Sequence, residues 1–124
     1  AWNETERILS EHTSARSRLD LTSPQSSHQL PATPFMEAHY FVNDSFMRPN
    51  QLLDEAASLA GIPGIIVQGR YDLLCPPATS HALGAAWRDA EIRIVEGAGH
   101  MLYDPGIRDA VMKAIADMAS RQEN

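Results

Sequence analysis

The chain has 124 residues, 44% of them apolar and only 6% aromatic, and a formal net charge of −6. That length allows one modest core, because a chain of this size buries only about two-thirds of the surface its unfolded form exposes, and the ordinary globular composition excludes wholesale disorder. One Cys excludes a disulfide framework, no apolar run approaches the ~18 residues of a membrane span, and nine Arg with one Lys scattered through an acidic chain exclude a phosphate-tracking nucleic-acid surface.

The opening Ala1-Trp2-Asn3 leads into no charged segment followed by an apolar one, so no targeting signal is visible. With the lone Cys, this points to a reducing, cytoplasmic location. Residues 3–19 read as a polar helix whose aliphatics are nearly limited to Ile8, Leu9 and Leu19. Residues 20–34 are dominated by Ser, Thr and three Pro and read as a loop, long enough to be a lid or an excursion. Phe35-Met36-Glu37-Ala38-His39-Tyr40-Phe41 is rich in aromatics and reads as a short helix or turn that packs against another element. After Pro49-Asn50, Leu52, Leu53, Ala56, Ala57, Leu59 and Ala60 recur at helical spacing, and Gly61 is the expected stop.

The second half has a cleaner pattern. Ile65-Ile66-Val67, closed by Gly69, is a β-branched run without alternation, as in a strand covered on both faces. Residues 78–88 predict a helix with Ala82, Leu83, Ala86 and Trp87 on its inner side. Residues 92–97 predict a second strand, partly alternating with charges as an edge strand does. Asp104-Pro105 is expected to open a last helix, with Asp as N-cap and Pro at the first position, and Ile107, Val111, Ile115 and Met118 as its apolar face. A strand, a helix and a strand imply a parallel pair with a right-handed crossover. Two strands are too few for a stable parallel sheet, so the pattern asks for partner strands that these residues do not contain.

Ligands of open parallel sheets bind beyond the carboxyl ends of the strands. The two loops there are Gly69-Arg70-Tyr71-Asp72-Leu73-Leu74-Cys75-Pro76 and Gly97-Ala98-Gly99-His100-Met101. Asp72 and His100 each lie three residues past a Gly, one strand-to-strand repeat apart, about 30 residues. Both side chains are therefore expected on one edge of the sheet. An Asp that accepts the Nδ1–H of a His fixes its tautomer and stabilises the imidazolium formed when Nε2 takes a proton. Taken singly, Asp72 reads as a cap for the helix from about residue 78, and His100 as a surface loop histidine. Arg70 reads as a structural ion-pair partner. His12, His28 and His81 have no neighbours at metal-ligand spacing, so no metal site is expected.

Gly69-Arg70-Tyr71-Asp72 with Cys75-Pro76, then Gly97-Ala98-Gly99-His100, resembles the C-terminal part of the α/β-hydrolase fold, and more narrowly the proline iminopeptidases. Glu37-Ala38-His39-Tyr40-Phe41 is similar to a Glu-Asn-His-Tyr-Phe-like segment of that family, with Ala38 departing from its Asn. The resemblance implies an α/β fragment: the last two parallel strands with their helices over 61–124, preceded by part of a helical cap over 1–60. It implies Asp72 as triad acid, His100 as general base, Glu37 as a ligand of the substrate's free amino terminus, and Cys75 as a wall of the prolyl pocket. A carboxylate suits a cationic amine through a charge-assisted hydrogen bond. Where the family carries Trp-x-x-Trp-Glu, this chain has Trp2-Asn3-Glu4-Thr5-Glu6, which assigns a second amine ligand to Glu6, with Glu4 a close competitor. No cofactor is implied. The partner is a peptide with a free N-terminal proline, not nucleic acid or membrane.

An α/β-hydrolase also needs a nucleophile on a Gly-x-Ser-x-Gly turn and oxyanion donors from an earlier loop. No serine here has that pattern. The expectation is therefore part of an aminopeptidase, inactive alone, lacking an N-terminal hydrolase portion and prone to self-association through its uncovered surfaces. The triad loops would equally serve an esterase, epoxide hydrolase or dehalogenase, and a non-catalytic interaction module is the reading from another class.

Overall fold

The computed structural model describes residues 2–10 and 32–122. Helix α1 spans Trp2–Ser10. The continuation expected to residue 19, and the loop from 20 to 31, lie outside the described residues. Helix α2 spans Ala32–Val42, so positions 32–34, expected as loop, are helical. Pro34 is accommodated because it falls in the first turn, where backbone N–H groups have no intrahelical acceptor. Beyond α2, Asp44, Ser45 and Phe46 run through three consecutive left-handed conformations, φ 48, 53 and 57°. For residues with a Cβ this costs about 1–2 kcal/mol each. The rings of His39, Tyr40 and Phe46 cluster over that turn, with centroids 5.4 to 6.0 Å apart.

Helix α3, Gln51–Glu55, tightens into a 3-10 turn over Ala56–Leu59. Gly61, at φ +82°, then reverses the chain, and its N–H donates to the Asp89 carboxylate at 2.7 Å. Strands β1 (Gly64–Gly69) and β2 (Ala90–Val95) pair in parallel, in register from Gly64 with Ala90 to Gly69 with Val95. Helix α4, Pro77–Ala86, makes the crossover and packs on both strands.

Two details of the crossover differ from the periodicity. Ala82 is exposed, and Trp87 lies beyond the helix in extended backbone. Its indole covers the start of β1. The Nε1–H donates to the Ile62 carbonyl at 2.8 Å, and a Cβ on Gly64 would come within 2.2 Å of the ring.

Helix α5 spans Ile107–Gln122 and packs chiefly on β1. It starts later than Asp104-Pro105 suggests: Gly106, at φ +85°, is left-handed and breaks the helical path, and the Asp104 carboxylate accepts the Gly99 N–H. Its inner face is Ile107 and Ala114, both buried, whereas Ile115 is 59% exposed. At 3.6 residues per turn, position 114 lies about 20° from position 107 and position 115 about 80° away. The nearer, smaller side chain takes the contact and lets the helix approach the sheet. Arg121 on α5 donates to Glu91 on β2 at 2.9 Å, and Arg93 donates to both Glu91 and Asp117, at 2.7 and 2.8 Å.

The buried apolar residues described are Ala56, Ala98, Ile107 and Ala114, and among the described residues no large side chain is fully buried. Phe35, Phe41, Val42 and Phe46 stay more than half exposed. The interior is thus smaller than the one modest core that the chain length allows. No helix among the described residues is long and apolar enough to cross a membrane.

Candidate functional site

Parallel strands deliver the loops after β1 and β2 to the same edge. Pairing continues past both strand ends: Arg70 N–H donates to the Val95 carbonyl at 3.1 Å, and Tyr71 N–H to the Ala98 carbonyl at 2.9 Å. Gly69 permits this approach, since a Cβ there would lie 2.0 Å from the Gly99 carbonyl oxygen. As a result His100 Nδ1 stands 3.0 Å from Asp72 Oδ2.

Each partner is held by its own loop. Asp72 is 7% exposed, and its Oδ1 accepts the backbone N–H groups of Leu74 and Cys75 at 3.0 and 2.8 Å. Gln68, buried at the end of β1, donates from Nε2 to the carbonyls of Gly69 and Cys75, at 3.0 and 3.1 Å, and more weakly to Asp72 Oδ2 at 3.5 Å. Its Oε1 accepts the Ser80 hydroxyl, which ties the loop to α4. In the second loop the buried Asp104 accepts the Gly99 N–H at 2.7 Å, and His100 N–H donates to the Ser10 carbonyl at the end of α1, at 3.3 Å. Asp104 therefore buttresses the His100 loop instead of capping α5.

An ionised carboxylate only accepts, so Asp72 selects the tautomer with the proton on Nδ1 and leaves the Nε2 lone pair free. Such a pair is competent to take and return a proton. Cys75 sits at the surface beside it: one ligand-type atom each from Asp72, Cys75 and His100 falls within 4.8 Å of the others. Partial burial, and then the Asp72 charge, push the Cys75 thiol above its ordinary value. The sulfur therefore carries a proton and is no ready nucleophile. Tyr71, Leu73, Leu102 and Tyr103 form an exposed apolar rim on the same loops.

The remaining candidates are distributed differently. Glu6 is half-buried on α1, one turn, or about 6 Å of helix axis, before the Ser10 carbonyl that meets the His100 loop. The choice between Glu4 and Glu6 lies outside the described side chains. Glu37 is half-buried on α2, which packs on the Asp44–Phe46 turn. Arg70 chelates Glu96 at the surface, as a structural ion pair does. His81 is exposed, and His12 and His28 lie outside the described residues. A shallow hollow of about 500 Å³ between Asp44 and Leu53 holds none of the candidate residues.

Sequence reasoning missed Gln68 and Ser80, and read Asp104 as a helix cap where its carboxylate holds the Gly99 N–H. Gln68 did leave a signal: it is the one polar residue in Ile65-Ile66-Val67-Gln68, within a strand expected to be covered on both faces.

No family model matches the chain. Individual relatives do. The chain is 41% identical over 95 residues to the proline iminopeptidase of Xylella fastidiosa (strain 9a5c), covering 76% of this chain and 30% of the relative. Against the proline iminopeptidase of Neisseria meningitidis (serogroup A) the identity is 42% over 84 residues, 67% of this chain and 27% of the relative. Against that of Arabidopsis thaliana it is 45% over 73 residues, 58% of this chain and 19% of the relative. The chain thus spans about 30% or less of the length of these relatives. The matched stretch is their C-terminal portion.

Proposed function

We propose, for a chain that is a homologue of the proline iminopeptidases, that it carries the acid–base part of a serine aminopeptidase of the α/β-hydrolase fold. The substrate is a peptide with a free N-terminal proline. Residues 61–124 contribute the last two strands and helices of the hydrolase core, and residues 1–60 part of its cap. The observation that carries the reading is the 3.0 Å contact of His100 Nδ1 with Asp72 Oδ2 at the carboxyl ends of two parallel strands.

In this reading, His100 Nε2 takes the proton of a serine hydroxyl supplied by chain outside these 124 residues. The serine oxygen attacks the prolyl carbonyl, and Asp72 stabilises the imidazolium. The imidazolium then protonates the leaving amine, and water releases proline from the acyl-enzyme by the same proton route. Glu37 and Glu6 receive the substrate ammonium, and Cys75 lines the prolyl pocket beside the Asp72–His100 pair. The exposed apolar side chains of α2 and of the loop rim are covered in the whole protein by the missing hydrolase portion. The 124 residues alone have no peptidase activity, because the nucleophile and oxyanion donors are elsewhere.

The test is a chimera in which this chain replaces the matched segment of the Xylella fastidiosa relative. It should hydrolyse a proline arylamide, and His100→Ala should lower turnover by about 10⁴-fold or more. Glu37→Gln should raise KM for the free-amine substrate. A folded but inactive chimera, or one that prefers an N-blocked substrate, refutes the proposal.

A further inference from the structure

Cys75 has no acid–base role in that reading, yet its sulfur is held beside both members of the pair. The ligand-type atoms of Asp72, Cys75 and His100 lie within 4.8 Å of one another, and Nδ1 and Oδ2 are already 3.0 Å apart. In a tetrahedral Zn²⁺ site, bonds of about 2.0–2.3 Å put neighbouring ligand atoms roughly 3.2–3.7 Å apart. The nitrogen and oxygen need to open by a few tenths of an ångström, and the sulfur to close by at most about 1 Å. An exposed cysteine side chain can do that by rotation about χ1.

The backbone around the ligands is already ordered. Cys75 N–H is held by Asp72 Oδ1 at 2.8 Å and its carbonyl by Gln68 at 3.1 Å. The His100 loop is pinned by Asp104 through Gly99. Little further ordering is left for binding to impose. We propose that Asp72, Cys75 and His100 form a latent three-ligand site for Zn²⁺, with the fourth position open to water. A thiolate, an imidazole and a carboxylate are the donor types such a borderline-soft cation takes.

The proton balance is simple. The Cys75 thiol proton leaves to solvent, the imidazole gives up its Nδ1 proton and takes one from solvent on Nε2, and the cation occupies the place of the hydrogen between Nδ1 and Oδ2. Neither the metal nor the protein changes oxidation state. Binding does not depend on the aminopeptidase reading. Its consequence does: an occupied site removes the Nε2 lone pair and would make Zn²⁺ a reversible inhibitor.

The experiment is an anaerobic titration of the chain, its cysteine kept reduced by a phosphine, with Co²⁺ as an optical reporter for Zn²⁺. The expected result is a thiolate-to-cobalt charge-transfer band with the visible bands of a four-coordinate site, bleached by about one equivalent of Zn²⁺. The chain has a single Cys, so the band reports Cys75. Cys75→Ala should abolish it, and His100→Gln and Asp72→Asn should each weaken binding at least about tenfold. His81→Ala should leave it unchanged. No charge-transfer band in the wild type would overturn the proposal. So would a band of undiminished affinity in His100→Gln, whether or not Asp72→Asn folds, since it would mean the thiol binds without its neighbour.

Discussion

Substituting Gly69 by Ala tests how the two loops are brought together. The added Cβ would lie 2.0 Å from the Gly99 carbonyl oxygen and 2.8 Å from that of Ala98. Both are backbone atoms, so neither can rotate away. Restoring ordinary contact at 3.4 Å requires the strand end and the His100 loop to part by about 1.4 Å. The Asp72–His100 bond starts at 3.0 Å and has about 0.5 Å of slack before it ceases to be a hydrogen bond. The Tyr71–Ala98 backbone bond, at 2.9 Å, is stretched by the same motion. Gly69→Ala should therefore cost about 1–3 kcal/mol as overpacking and disconnect the pair. Thermal melting reads the first effect. Nitrogen-15 shifts of the His100 ring read the second, as loss of the fixed Nδ1–H tautomer. A variant that melts within about 0.5 kcal/mol of the parent and keeps that tautomer would refute the close-approach argument.

Three other outcomes follow from the same contacts. Asp104→Ala leaves the buried Gly99 N–H without its acceptor and should cost about 1–3 kcal/mol, with faster amide exchange at Gly99; unchanged protection there would show that the buttress is dispensable. Hydrogen bonds from Arg93 first and Arg121 second hold the Glu91 carboxyl down to about 2, against an ordinary 4.5. A depressed carboxylate stabilises the fold fully above about 4.5, and that contribution is lost as pH falls through about 2. Carbon-13 titration should find Glu91 ionised at pH 3.5, with Arg121→Gln moving its midpoint upward and added salt weakening the effect; a midpoint near 4.5 in the parent contradicts the ion-pair geometry. The thin interior and the exposed Phe35, Phe41, Val42 and Phe46 predict concentration-dependent self-association by light scattering, and a monomer at all concentrations with a sharp two-state melt would count against it.

The loop contacts explain why an Asp–His pair can be steady in so small a core. Most of its support is polar and local to the sheet edge: Gln68 and the Leu74 and Cys75 amides around Asp72, Asp104 and the Ser10 carbonyl around His100. Buried side chains of this kind are costly when unpaired and orienting when satisfied. Here they are satisfied by one another.

The sequence by itself determined the succession of strand, helix, strand and helix, and the two loops that carry Asp72 and His100. Those features are written in local terms: a β-branched run, a 3.6-residue period, glycines at the strand ends. Such patterns specify what an element is and which of its faces is apolar, but not what meets that face. That is why Ile115 looked buried and Ala114 did not, and why Trp87 was assigned to the helix rather than to the start of β1. Tertiary structure alone decided that Asp104 holds Gly99 instead of capping α5. It decided too that Gln68 binds the Asp72 loop from beneath, and that Cys75 stands within reach of both members of the pair. Each of these is a hydrogen bond or a close approach between groups that become neighbours only once β1 and β2 have paired and α4 and α5 have packed.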